Sequence, residues 1–170
     1  MKFSLLLGAL ACFASTSVAQ KVNGAAQGFA QGVVGGGNAP PVRPKDIHEL
    51  VTFLTDKIPR VIILEKTYDF TGSEGTIREK GCSPWGTKPG CQLAIDLNHR
   101  WCGKNNPLNV DVTYDKAATA GIQVAPHKTL IGVGNKGIIK GKGLRFVRTE
   151  DIIVQNIREP RNPSDSLTPY

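Results

Sequence analysis

The amino-acid sequence predicts an all-β fold, a solenoid of short strands stacked into parallel sheets, with one short helix ahead of it. Three observations carry this reading. Thr129-Leu130-Ile131-Gly132-Val133 can be laid on Asp151-Ile152-Ile153-Val154-Gln155 at an offset of 22 residues, from Leu130 to Ile152. Within that period lie two more short apolar runs, Ile138-Ile139 and Leu144-Arg145-Phe146-Val147, so one repeat holds about three strands. Tight glycine-bearing turns separate the runs. A fixed period in the twenties with several short strands is the signature of repeats that stack on their own copies and pair with them in parallel.

Taken in order, the chain opens on a segment that belongs to targeting and not to the fold. Lys2 precedes an apolar run from Phe3 to Phe13 and the small-residue site Ser17-Val18-Ala19, which predicts a secretory signal sequence, residues 1–19, cleaved after Ala19. Ser15, Thr16 and Ser17 end the run well short of the roughly 20 apolar residues a membrane span needs. A secreted, extracellular product with no membrane partner is therefore expected. Residues 21–44 are rich in Gly, Ala and Gln, with Gly35-Gly36-Gly37 followed by Pro40, Pro41 and Pro44, and predict no regular element. Ile47, Leu50, Val51 and Leu54 then recur at helical spacing, which predicts one amphipathic helix.

From Arg60 the period changes. Val61 to Leu64, Leu93-Ala94-Ile95, Val110 to Tyr114 and Ile122-Gln123-Val124 read as short strands. Residues 71–92 and 98–108, rich in Gly, Pro, Asn and Cys, read as loops of a length that is usually functional or tied down by disulfides. At the far end the repeat fails. Adding 22 to Ile138, Ile139, Leu144 and Phe146 leads to Pro160, Arg161, Ser166 and Thr168, and proline has no N–H for a ladder. The solenoid is expected to be incomplete at its C-terminal end, leaving an uncapped apolar stack.

Charge and cysteines narrow the function. The chain carries 21 Lys and Arg against 14 Asp and Glu; loss of Lys2 with the signal sequence leaves about +6. The basic residues are spread singly, without a run or helix face, which argues against nucleic acid and suits an acidic polysaccharide or no electrostatic partner at all. Without Cys12, three cysteines remain: Cys82, Cys91 and Cys102. An odd count is unusual in an oxidising compartment. The third thiol pairs with another chain, stays free, or has its partner further along a longer protein.

Several motifs point away from other chemistries. Gly132-Val133-Gly134-Asn135-Lys136-Gly137 matches a dinucleotide pattern, but Ile138-Ile139-Lys140 is strand, not the helix that pattern requires, so the glycines are assigned to corners needing positive φ. The cysteines lack C-x₂₋₄-C spacing, so no metal is expected. No G-x-S-x-G elbow occurs, and His48, His99 and His127 have no partner that sequence can place. Trp85 in Cys82-Ser83-Pro84-Trp85-Gly86 and Trp101 in Arg100-Trp101-Cys102 stand beside cysteines in the long loops. Such indoles serve either as platforms for sugar rings or as the loops' own core. Asn156 is assigned to a turn, with its side chain expected to stack as an amide ladder.

Blocks along the chain resemble the N-terminal half of fungal pectin lyases. They include Gly28 to Gly37, Tyr68 to Thr76, Gly81-Cys82-Ser83-Pro84-Trp85-Gly86, Val112 to Ala117, Lys128 to Gly134, Ile139 to Arg145 and Ile152 to Ile157, so the match runs from about Asn23 to Ile157. The later blocks are shared with the wider pectate lyase superfamily; the Gly-Cys-Ser-Pro-Trp-Gly and Trp-Cys blocks point to the pectin lyase branch. The resemblance implies a right-handed parallel β-helix whose N-terminal end is capped by the helix around Ile47 to Leu54. It implies a disulfide between Cys82 and Cys102, with Cys91 unpaired here because its family partner lies well downstream. It also implies that Trp85 and Trp101 line a substrate cleft.

Members of that family cleave methyl-esterified polygalacturonan, pectin, by β-elimination, without cofactor. A base removes the C5 proton, charge on the ester is stabilised, and the C4 oxygen leaves; the neutral, electron-withdrawing ester makes calcium unnecessary. The family's catalytic residues follow the block matching Val154 to Ile157, where Arg158-Glu159-Pro160-Arg161 does not match, so no catalytic residue is assigned. The expected organisation is a signal sequence (1–19), the N-terminal part of a lyase domain (20–157) and a non-matching, disordered tail (158–170). Expressed alone, the chain is expected to fold poorly and to lack lyase activity. The competing readings are a non-catalytic carbohydrate-binding protein and a calcium-dependent pectate lyase relative.

Overall fold

The computed structural model describes residues 21–86, 88–95, 102 and 110–160. The expected signal sequence, His99, Trp101, Arg161 and most of the expected tail lie outside the described residues. The described part is mostly strand with one α-helix. After a 3-10 turn at Gly28–Ala30 come β1 (Pro41–Val42), α1 (Ile47–Thr55), β2 (Arg60–Leu64), β3 (Thr67–Asp69), β4 (Thr76–Gly81), β5 (Val110–Asp115), a second 3-10 turn at Lys116–Thr119, β6 (Ile122–Gln123), β7 (Lys128–Gly132), β8 (Ile138–Lys140), β9 (Leu144–Arg145) and β10 (Ile152–Gln155). The Gly28–Ala30 turn and β1 fall where no regular element was expected.

The strands form tiers. β2, β3 and β6 make one tier, β7, β8 and β9 the next, and each pairs in parallel with its counterpart: β2 with β7, β3 with β8, β6 with β9. β10 continues the first sheet, in the order β1-β2-β7-β10. Apolar residues stack on like residues across the tiers: Ile62 on Leu130, Tyr68 on Ile139, Ile122 on Leu144. Ile62, Tyr68, Ile122, Leu130 and Ile139 are buried in one cluster that Leu144 packs against. Each such side chain contributes about 1.5–3 kcal/mol on burial.

The repeat is less regular than a single 22-residue period. β10 pairs with β7 in the register Ile152↔Lys128, an offset of 24, not the 22 read from the sequence. The β6–β9 pair has Ile122 opposite Leu144, an offset of 22, and Arg158 bridges Ile138 in parallel at an offset of 20. The corners absorb the difference. Because the first-sheet error is an even number of residues, it leaves inward and outward faces unchanged. Arg158 is therefore laddered: its N–H donates to Gly137 O and its carbonyl accepts from Ile139 N, both at 2.9 Å. Beyond that level the stack is open among the described residues. Val154, in register with fully buried Leu130, is 42% exposed.

Of the three glycines read as corners, only Gly134 has positive φ, at 56°. Gly132 is needed for another reason: a Cβ there would lie 2.0 Å from Asn156 O. Asn156 itself has φ 56°, and its Nδ2 donates to Gly132 O and Gly134 O at 2.9 and 2.6 Å. The expected amide ladder is thus replaced by a side chain that caps the backbone corner of the tier below.

α1 starts where Asp46 accepts a hydrogen bond from Glu49 N at 2.9 Å while Glu49 accepts from Lys45 N at 2.6 Å, a reciprocal cap. Its buried residues Leu50 and Leu54 enter the main cluster, and Leu54 O accepts from Ala125 N at 2.8 Å. The helix ends on a buried charge. Lys128, fully buried in β7, donates from Nζ to Asp56 O and to Asp56 Oδ1, both at 2.8 Å, and to Ile58 O. Arg60 Nε donates to the other Asp56 oxygen at 2.6 Å. Burial opposes ionisation of Asp56, but the hydrogen bonds from Arg60 and Lys128 outweigh it and hold the carboxyl below its ordinary range.

The segment before β1 lies over the outer face of the first sheet. Asp151 Oδ1 accepts from Val34 N and Gly35 N at 2.7 Å, Thr129 Oγ1 from Gly36 N at 2.9 Å, and Gln155 exchanges hydrogen bonds with Asn23. Asp151 Oδ2 takes His127 Nδ1 at 2.8 Å.

Two outcomes follow. Lys128→Met leaves Asp56 O and Ile58 O without this donor, and should lower unfolding stability by about 3 kcal/mol in urea titration; a change below about 1 kcal/mol would show the ammonium to be dispensable. Asp151 is held below its ordinary 3.8, first by the His127 hydrogen bond and, against burial, by the Gly35 and Val34 N–H groups. A depressed carboxyl stabilises fully above its unfolded value and stops doing so as pH falls through the folded one. The thermal midpoint should therefore drop on acidification below 3.8, and Asp151→Asn should flatten that part of the profile.

Candidate sugar-binding loop

Between β3 and β6 the chain leaves the tiers. The composition of residues 71–92 predicts a loop, but β4 lies there and pairs antiparallel with β5, the strand expected at Val110 to Tyr114, with Ile77 opposite Tyr114 and Gly81 opposite Val110. The expected strand at Leu93-Ala94-Ile95 is reduced to one bridge, Cys82↔Ala94. β4 escaped notice because the residue that faces inward beside Ile77 is Glu79, whose carboxylate accepts from Tyr114 Oη at 2.7 Å. Burial first, then the hydrogen bond and charge of Glu79, push the Tyr114 phenol up to about 12, so it stays neutral. Lys80 and Asp111 pair across the ribbon at 2.9 Å, and the Lys80 ammonium holds the Asp111 carboxyl below its ordinary value.

The ribbon is anchored to the tiers by polar contacts. Asp115 accepts from Gly72 N at 2.6 Å and from Ala117 N at 2.9 Å. Lys142 donates to Glu74 at 2.7 Å and to Ala117 O at 3.1 Å. Lys140 pairs with Asp69 at 2.8 Å; its hydrogen bond, with those of Thr71, pulls Asp69 down to about 2.

At the end of the ribbon Cys82 and Cys102 form the disulfide that the family resemblance implied, buried with Ala94 in a small cluster. Gly81 has to be glycine, since a Cβ would stand 2.4 Å from Ala94 O. Immediately after Cys82 the chain turns through Ser83 to Gly86, closed by Gly86 N to Ser83 O at 3.1 Å. Trp85 sits in that turn and is 60% exposed. Cys91 is a free, half-buried thiol, 3.7 Å from where a Cβ on Gly86 would be. The structure thus puts Trp85, the disulfide and Cys91 together; Trp101, one residue before Cys102, is outside the described residues. What this arrangement offers chemically is a flat apolar face fixed on a cross-linked loop, suited to an amphipathic ring such as a sugar. Sequence reasoning missed Lys128, Asp56 and Asp151, whose roles depend on contacts distant along the chain and leave no local pattern.

No family model matches the chain. Among curated proteins it is 52% identical to a probable pectin lyase A of Aspergillus clavatus over 160 residues, covering 92% of this chain and 42% of that protein. It is 53% identical to pectin lyase A of Emericella nidulans over 161 residues, with the same coverage, and 53% identical to pectin lyase B of that organism over 155 residues, covering 89% of this chain and 40% of that protein. The chain therefore spans about two fifths of the length of the curated relatives it matches. Over nearly all of its own length, the chain is a homologue of the pectin lyases A and B, corresponding to an N-terminal portion of them.

Proposed function

We propose that this chain forms the N-terminal part of a right-handed parallel β-helix that binds methyl-esterified polygalacturonan, in a protein whose activity is eliminative cleavage of pectin. The carrying observation is the 60% exposed indole of Trp85, set on a loop closed by Cys82–Cys102, in a chain about half identical to pectin lyases. The parallel tiers and the helix packed into their core support the β-helix reading, with α1 as its N-terminal cap. The expected signal sequence supports secretion, where pectin is met.

Trp85 and Trp101 are proposed as the two aromatic contacts to the sugar chain, and the neutral methyl ester as the group that lets an apolar platform serve in place of a cationic or calcium-bridged one. We assign no proton-abstracting residue within residues 20–157. Arg158 has its backbone in a ladder, and no contact of its side chain points to a base. The purified chain should bind highly esterified pectin without generating the ultraviolet absorbance of unsaturated uronides.

Trp85→Ala should weaken binding of a fully methyl-esterified oligogalacturonide by about 1 kcal/mol, roughly fivefold, in isothermal titration calorimetry. Unchanged affinity with a retained disulfide would remove Trp85 from the site. Sustained product formation by the chain alone would overturn the statement that it holds no base.

A further inference from the structure

The N-terminal segment that lies over the first sheet is held at its start by one side chain of β10. Asn23 N donates to the Gln155 carboxamide oxygen at 2.8 Å, and Gln155 Nε2 donates back to Asn23 O at 2.7 Å. Both contacts use the Asn23 backbone, so its own carboxamide stays exposed and without a hydrogen-bond partner among the described residues. Gly24 follows, and no other asparagine in the sequence is followed by glycine. The Gly24 N–H donates to no group among the described residues, φ there is 84°, and a Cβ placed on it would meet nothing within 4 Å. With no Cβ, a glycine nitrogen is the least hindered of any residue to a group approaching from the preceding side chain.

Every other described asparagine lacks half of that arrangement. The N–H after Asn38 is engaged, Ala39 N donating to Gly36 O at 3.1 Å, and so is the one after Asn135, Lys136 N donating to Val133 O at 3.0 Å. Asn156 spends its carboxamide on Gly132 O and Gly134 O. Asn23 therefore pairs a free carboxamide with a free, unhindered peptide nitrogen one residue on. Its position matters to the fold. Lys21 and Val22, immediately before it, border a hollow of about 560 Å³ whose lining includes Val34, Ile131 and Ile153. The Asn23–Gln155 pair closes the end of the segment over that face of the sheet.

We infer that Asn23 is a site of spontaneous covalent modification, deamidation through a cyclic imide, which Gln155 restrains and which in turn releases the N-terminal segment from β10. The Gly24 nitrogen attacks Asn23 Cγ, a new C–N bond forms, the Cγ–Nδ2 bond breaks, and the Gly24 proton leaves with the amide as ammonia. Water then opens either C–N bond of the ring. Opening at Cγ gives aspartate on an unchanged backbone. Opening at the main-chain carbon gives isoaspartate, in which the backbone is longer by one methylene and the carbonyl that accepted from Gln155 has become a free carboxylate. The sum is amide plus water to carboxylate plus ammonium, with no oxidant or reductant. Ring closure requires the Asn23 backbone to turn, and the two Gln155 hydrogen bonds hold it, so the reaction proceeds from the opened segment.

The test is to incubate the purified chain in warm, mildly alkaline buffer and follow each asparagine by peptide mass mapping, with a synthetic peptide of residues 21–27 giving the unrestrained rate. Asn23 should convert faster than Asn135 in the same molecule and more slowly than the peptide. Gln155→Ala should raise the Asn23 rate roughly fivefold or more. Gln155→Glu, which accepts from Asn23 N but cannot donate to Asn23 O, should fall between. Hydrogen exchange of β7 checks that the sheet persists, and if the alanine variant loses it, the glutamate variant carries the comparison. The isoaspartate form, separated by its added charge, should exchange the peptide hydrogens of residues 22–24 faster than the starting protein, and the aspartate form should not. Conversion no faster than at Asn135, a rate indifferent to Gln155, or an isoaspartate form with unchanged exchange would overturn the inference.

Discussion

A lysine ammonium inside the stack is the constraint around which the lower tiers are arranged. Lys128 occupies a fully buried position in β7, directly in register with Arg60 of β2 and Ile152 of β10. An unpaired ammonium there would cost several kcal/mol. Its three acceptors all come from the segment that joins α1 to β2, so the charge is tolerated only if the helix ends at Asp56 and the chain turns back at once into the sheet. Arg60 completes the arrangement, bonding the same carboxylate and lying 4.6 Å from the centre of the Phe53 ring of the helix. One buried cation thereby fixes where the helix stops, how it sits on the tiers, and which strand follows it.

With that end fixed, the remaining order follows from stacking. Each tier offers the next a matching set of apolar side chains, and the corners are closed by the Asn156 side chain and by the close approach at Gly132. The long excursion between β3 and β6 can then leave the stack without disturbing it, because Asp115, Lys142 and Lys140 tie its base to the tiers. A disulfide keeps its far end in shape. The result is a set of stacked parallel sheets with an aromatic-bearing loop on one excursion.

The sequence made the stacked strands legible where apolar runs were short and β-branched, as at Val61–Leu64 and Thr129–Gly132. The helix was legible from the spacing of Ile47, Leu50, Val51 and Leu54. The 22-residue period rests on laying Leu130 on Ile152, two residues out of the observed register, because neighbouring apolar residues in both runs make either alignment plausible; the actual offsets differ from sheet to sheet, at 24, 22 and 20. The β4–β5 ribbon was not legible, because its inward side is built partly on a Glu79–Tyr114 hydrogen bond in place of two apolar residues. Of the site, Trp85 and the disulfide were marked by local composition and family resemblance.

The chain has two tryptophans, Trp85 and Trp101, each close in sequence to a half of the Cys82–Cys102 disulfide and both proposed as contacts to pectin. Intrinsic indole fluorescence therefore reports on the two proposed contacts alone. Titration of the secreted chain with a fully methyl-esterified oligogalacturonide, followed by tryptophan emission, tests the account most directly. A saturable change in intensity or wavelength, diminished in Trp85→Ala, is the predicted result; an emission spectrum unmoved by saturating ligand would contradict it.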